Sequence, residues 1–166
     1  MSNILLILIA LYSNASLTIT SKSFPKDGMI PSKYTCDGEN LTPSLEIKGM
    51  PKGTRSLAII MHDPDAAREG GFTHWIVWNI DPVTYIPEKF MGGEHGMNGA
   101  NKQGYIGPCP PSGIHRYHFN VYALDSKLSV NSNTNKEQLE KAIEIHILAK
   151  GELIGLYERK REVLEK

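Results

Sequence analysis

Apolar residues along this chain recur mostly at strand spacing, and the elements they predict are short and punctuated by Gly and Pro. Leu17 to Thr20 alternates apolar and polar and predicts a first strand; Leu45 to Ile47 predicts another, closed by Gly49, Pro51 and Gly53. Leu57 to Met61 is an uninterrupted apolar run, the pattern of a strand buried on both faces, and it leads straight into His62-Asp63-Pro64-Asp65. His74 to Ile80 repeats that pattern and holds both tryptophans. The clearest alternation is His115 to Leu124: His115, Tyr117, Phe119, Val121 and Ala123 share one face, and Arg116, His118, Asn120 and Tyr122 share the other. His115 and Tyr117 therefore point the same way, at one end of an apolar row, while Arg116 points away.

One segment has helical periodicity. Thr134 followed by Glu137 predicts a capping box, Leu139, Ala142, Ile143, His146 and Ile147 recur at helical spacing, and Gly151 is the expected stop. Glu152 to Tyr157 reads as a last strand before a charged tail, Glu158 to Lys166. Phe24 to Pro43 and Tyr85 to Gln103 read as long loops, the second a candidate contact loop together with the segment around Arg68. Thr35 to Asn40 lacks the ligand spacing of a calcium loop and reads as a hydrogen-bonded turn. These elements predict a mostly β protein with a helix near the C-terminus, with residues 17–166 forming one domain.

Residues 1–16 stand apart. Ile4 to Leu11 is nearly all apolar and Ser13-Asn14-Ala15 resembles a cleavage site, but no Lys or Arg precedes the run. The segment reads either as a secretory signal peptide or as an extra strand, so the expected location is cytoplasmic, with secretion as the alternative. The run is too short to span a bilayer as a helix, and stable membrane insertion is not expected.

Charge narrows the function. The 166 residues carry 18 Lys and Arg against 18 Asp and Glu, which argues against a nucleic-acid partner, since phosphate neutralisation needs a basic excess. Cys36 and Cys109 make neither a CxxC motif nor a disulfide framework. They read as two half-buried thiols or, in an exported or hyperthermophilic setting, as one disulfide bracing the loop that contains Cys109.

That loop, Gly104 to Tyr117, concentrates the candidate chemistry: three glycines and three prolines deliver His115 and Tyr117 at the start of a strand. With Asp63, Asp65, His74, Cys109 and Ser112 it permits several readings. A metal site on His62, His74 and His115 lacks any specific ligand spacing, and no metal is expected. A hydrolase using Ser112 or Cys109 lacks a nucleophile elbow. Two imidazoles, a phenol and glycine N–H groups suit a phosphate or carboxylate ligand, with Asp63 accepting from an imidazole to fix its tautomer. The competing structural reading makes His74 and His115 satisfied core histidines and the Pro-rich loop a rigid connector.

Asp63-Pro64-Asp65-Ala66, His74-Trp75-Ile76-Val77 and Gly107-Pro108-Cys109-Pro110-Pro111-x-Gly113-x-His115-Arg116-Tyr117 resemble the motifs of the phosphatidylethanolamine-binding protein family, also called the Raf kinase inhibitor protein family. Tyr34 to Pro43 and Leu148 to Tyr157 resemble its bacterial and archaeal branch. The resemblance implies a large central antiparallel sheet packed on a smaller sheet, and a cavity for phosphate-type anions including phospholipid head groups. Carried onto this chain, that site is Asp63, His74, Pro110, Pro111, His115 and Tyr117. It further implies a non-enzymatic, cofactor-free protein, an inhibitor or regulator of a serine protease or kinase, with homodimers among its relatives; a hydrolase using the same cleft is the alternative. Ala67 stands where the family usually has a second proline, and nothing here matches the C-terminal helix of eukaryotic members.

Overall fold

The computed structural model describes residues 15–159; the apolar run before them, and the charged tail from residue 160 on, lie outside the described residues. Among the described residues ten strands form two sheets. The large sheet is built around β5 (Ser56–Asp63), β6 (Phe72–Ile80), β9 (His115–Leu124) and β10 (Ile147–Tyr157). Its order is β10-β9-β5-β6, extended past β6 by the short β8 (Glu94–His95), with all of these pairings antiparallel. On the outer side of β10, β1 (Ala15–Ser16) and β3 (Gly28–Met29) pair parallel at opposite ends of that long strand. The small sheet is antiparallel, with β4 (Leu45–Lys48) between β2 (Thr18–Thr20) and β7 (Tyr85–Ile86).

The central strands are apolar on both faces because both faces are covered. Leu57, Ile59, Met61, Trp75, Val77, Phe119 and Val121 pack with Ile19, Leu45, Ile47 and Ile86 of the small sheet. Ala58, Ile60, Ile76 and Trp78 pack on the other side with Leu139 and Ile143 of α1 (Lys136–Ile143). Burying side chains of this size contributes about 1.5–3 kcal/mol each before entropy is counted. Among the described residues no helix is long and apolar enough to cross a membrane.

Three expectations change. The helix is capped one residue later than the Thr134–Glu137 spacing predicts: the Asn135 side chain accepts from the Gln138 N–H, and Gln138 returns to the Asn135 N–H. Thr134 is buried, and its carbonyl accepts from the Met97 N–H. Gly151 does not stop a helix; it lies inside β10, which already begins at Ile147, and its missing side chain lets the Leu17 carbonyl pass. The stretch from Tyr85 to Gln103 is not all loop, since β7 and β8 tie it to both sheets and a bridge joins Met97 to Gln103.

Candidate functional site

Asp63 at the end of β5, His74 near the start of β6, and His115 and Tyr117 at the start of β9 meet on one face of the large sheet. The arrangement of β9 follows from its alternation, with His115 and Tyr117 buried and Arg116 exposed. Arg116 turns outward onto Asp65: its backbone N–H and Nε–H donate to Oδ2 at 2.9 Å, and Nη2 donates to Oδ1 at 2.6 Å. That guanidinium holds the Asp65 carboxyl down at about 2. Asp65 is therefore a rim residue committed to Arg116.

Asp63 is 3% exposed and has both oxygens occupied. Oδ1 accepts from the Asp65 N–H at 2.8 Å, and Oδ2 accepts from His115 Nδ1–H at 2.8 Å. A carboxylate can only accept here, so the proton of a neutral His115 sits on Nδ1 and its Nε2 carries a lone pair.

His74 reaches this face through a β-bulge. Met61 pairs with Trp75 and the next residue, His62, pairs with Thr73, leaving His74 as an additional residue in β6. Bulges turn the bulged side chain out of strict alternation. The His74 ring accordingly lies edge-on to Tyr117, with centroids 5.2 Å apart, and to Phe72 at 4.7 Å. Its Nδ1–H donates to the Ile106 carbonyl at 2.7 Å. Burial pushes its pKa down to about 4, against the opposing pull of that carbonyl and of Asp63.

Tyr117 has no solvent exposure, and its hydroxyl makes no hydrogen bond. Burial, reinforced by the negative charge of Asp63, drives its pKa far upward despite the nearby Cys109 N–H, so the phenol keeps its proton and remains a donor. The cluster thus holds one unspent buried donor and two imidazoles whose Nδ1 protons are committed elsewhere.

The loop before β9 is clamped to the turn at 34–40. Tyr105 Oη donates to the Tyr34 carbonyl at 2.8 Å, the Gly107 N–H to Asn40 Oδ1 at 2.7 Å, and the Cys36 N–H to the Pro108 carbonyl at 3.1 Å. Only glycine fits at 107, where a Cβ would sit 2.6 Å from the Tyr34 carbonyl oxygen. Cys36 and Cys109 are joined in a disulfide across the same seam, which corrects the reading of two half-buried thiols: both residues are exposed, and the clamp brings them together. Asp37 anchors the turn to the end of β10, accepting from Tyr157 Oη at 2.7 Å and from Arg159. Pro110 is buried beyond the clamp, while Pro111, Ser112, Gly113 and Ile114 are exposed.

With Cys109 oxidised, its thiolate is not available as a nucleophile, and exposed Ser112 stands outside the buried cluster. His62 meets Thr73 rather than His74 or His115. Among the described residues no group of three or more His, Cys, Asp and Glu side chains is arranged to hold a metal ion.

A family model described as "Phosphatidylethanolamine-binding protein" matches residues 20–158. The chain belongs to that family. It is 48% identical over 151 residues to a UPF0098 protein of Pyrococcus horikoshii, covering 84% of this chain and 76% of that one. A crystal structure of a putative phosphatidylethanolamine-binding protein homologue from Chlamydia trachomatis is similar at TM-score 0.83 and 40% identity, over 89% of this chain and 100% of the other. YbcL of E. coli, described as a new member of the mammalian PEBP family, is similar at TM-score 0.81 and 32% identity, over 88% and 100%.

Within this family member, the partners that sequence reasoning missed are mostly backbone groups: the Ile106 carbonyl on His74 and the Gly107 amide on Asn40. Asn40 itself was visible only as a turn residue. Its left-handed φ of 58° marks the turn, but the contact spans 67 residues and leaves no local signal.

Proposed function

We infer that the protein binds a small oxyanion of phosphate or phosphomonoester type at the Asp63–His74–His115–Tyr117 cluster, without turning it over. The observation that carries this reading is the unspent Tyr117 hydroxyl, a protonated buried donor between two histidines. An unsatisfied buried hydroxyl costs about 1–3 kcal/mol, which a ligand oxygen would recover. Cys109 is oxidised and Ser112 lies outside the cluster, which favours holding over cutting.

The imidazoles impose a condition on the ligand. With both Nδ1 protons committed, each neutral ring offers only a lone pair at Nε2. A fully deprotonated oxyanion would meet repulsion there. A monoprotonated phosphate, donating P–OH to one Nε2 and accepting from Tyr117, fits; so does a ring that takes up a proton on binding. Either way, binding of a phosphomonoester dianion, which has no P–OH of its own, is coupled to a proton.

Calorimetric titration with inorganic phosphate and O-phosphorylethanolamine, repeated in buffers of different ionisation enthalpy, tests this. The expected result is proton uptake from solution with O-phosphorylethanolamine wherever its phosphate is mostly dianionic, affinity for it falling as pH rises, less uptake with inorganic phosphate, whose dianion already carries a P–OH, and loss of about tenfold in Tyr117→Phe, the worth of one hydrogen bond to a charged group. Unchanged affinity in both Tyr117→Phe and His115→Ala would remove the assignment.

A further inference from the structure

A cleft of about 460 Å³ opens between the turn at 40–42, β6, the segment 89–95 and residues 103–105. Its volume lies in the range of small-molecule sites, roughly 300–1,000 Å³. Its walls are largely apolar, and Asp63, His74, His115 and Tyr117 are not among them. Trp75, fully buried, and Tyr105 meet edge-on with centroids 6.0 Å apart, and Leu41 and Phe90 are partly buried against the same core.

Of its polar side chains, Asn40 accepts from the Gly107 N–H, Thr42 from the Phe90 N–H, Gln103 donates to the Ser132 carbonyl and Tyr105 to the Tyr34 carbonyl, which leaves two polar groups, on His95 and Lys89. Trp75 Nε1–H donates to His95 Nδ1 at 3.2 Å, which places the proton of neutral His95 on Nε2. That Nε2 is enclosed and makes no hydrogen bond. Burial lowers the pKa of His95, with the Met91 and Gly92 carbonyls near the ring opposing, so the neutral donor form prevails.

Lys89 supplies the second. It is exposed and makes no ion pair among the described residues. The neighbouring carboxylate of Glu88 is already taken by Lys33 Nζ and Tyr34 Oη, each at 2.6 Å. Lys89 has a left-handed φ of 58°, held there because its N–H donates to the Thr42 carbonyl and the Phe90 N–H donates to Thr42 Oγ1. A side chain at such a φ is strained where glycine would not be.

We propose that this cleft is a second ligand site, for a small aromatic carboxylate whose ring lies against Leu41, Phe90 and Tyr105 and whose carboxylate meets Lys89 Nζ and His95 Nε2–H. The pairing of an unneutralised cation with an apolar lining selects an amphipathic anion over inorganic phosphate. The site does not depend on the anion reading of the first cluster.

The two tryptophans make the test selective, because Trp75 borders this cleft while Trp78 packs on the opposite face against α1. Phenylacetate is titrated into the ¹⁵N-labelled full chain, and the two indole N–H resonances, assigned with Trp75→Phe and Trp78→Phe, are followed. The expected result is a saturable shift of the Trp75 signal alone, unaffected by added inorganic phosphate. Lys89→Gly removes the charge and relieves the left-handed backbone, so it should fold at least as stably while weakening phenylacetate about fivefold, the worth of one exposed ion pair. Benzyl alcohol, with the ring and no charge, should bind the wild type about fivefold more weakly than phenylacetate for the same reason. A Trp75 signal unmoved up to the solubility limit would overturn the proposal, as would unchanged affinity in Lys89→Gly or displacement of phenylacetate by phosphate.

Discussion

His115 Nδ1–H donates to the Asp63 carboxylate at 2.8 Å across 52 residues of sequence, and the same carboxylate accepts from the Asp65 N–H. One buried side chain thereby fixes both the tautomer of the histidine and the course of the chain leaving β5. Asp63→Ala would strand the buried His115 Nδ1–H, worth about 1–3 kcal/mol, and the half-buried Asp65 N–H, worth less. We expect about 2–4 kcal/mol of lost stability in urea denaturation, and a His115 tautomer no longer fixed by ¹⁵N chemical shift.

His74 makes the fold acid-sensitive. Its folded pKa of about 4 lies below the ordinary value of 6.5, so between these pH values the unfolded chain binds the extra proton. Stability from this group is complete above about pH 6.5 and falls as pH drops toward 4, by roughly 3 kcal/mol in all. Asp65, held at about 2 against an ordinary 3.8, contributes little to this window, since its stabilisation is lost mainly as pH falls from about 4 to 2. Denaturant midpoints measured between pH 7 and 4 should fall less steeply in His74→Gln than in the wild type.

The disulfide closes a loop across a sequence separation of 73 residues. Chain entropy assigns such a crosslink roughly 4 kcal/mol. Because both cysteines are exposed, a phosphine reductant should reach the bond in the native state and lower the guanidinium midpoint accordingly. The Cys36→Ser, Cys109→Ser double variant should match the reduced wild type.

Gly70 and Gly71 separate conformation from space. Both have left-handed φ, 76° and 74°. A Cβ at Gly70 meets nothing within 4 Å, whereas at Gly71 it collides with the Asp63 carbonyl oxygen and lies 2.7 Å from His62 Nε2. Gly70→Ala should cost about 1 kcal/mol, and Gly71→Ala about 3 kcal/mol with a disturbed Asp63. Equal effects in thermal unfolding would show that space around Gly71 does not matter.

The start of β9 and the disposition of its side chains were legible to the residue, because period-two alternation is a property of one strand and needs no partner. The apolar runs of β5 and β6 were legible as two-sided strands because an uninterrupted apolar run is likewise contained within one segment, and the family motifs singled out the cluster's residues. The helix cap was misread by one residue, since Thr134 and Asn135 are both good capping residues and only the burial of Thr134 decides between them.

What the sequence by itself determined is which side chains could share a face within a strand: His115 with Tyr117, and Arg116 opposite. The family motif implied that His74 joins them, but only tertiary structure decided how, because strict alternation sends His74 to the face of Ile76 and Trp78, and pairing with β5 reveals the bulge that turns it over. Tertiary structure likewise decided that Cys36 and Cys109 bond, and that Asn40 grips the Gly107 amide. Alternation is set by local backbone geometry, whereas bulges and clamps depend on which distant segment lies alongside.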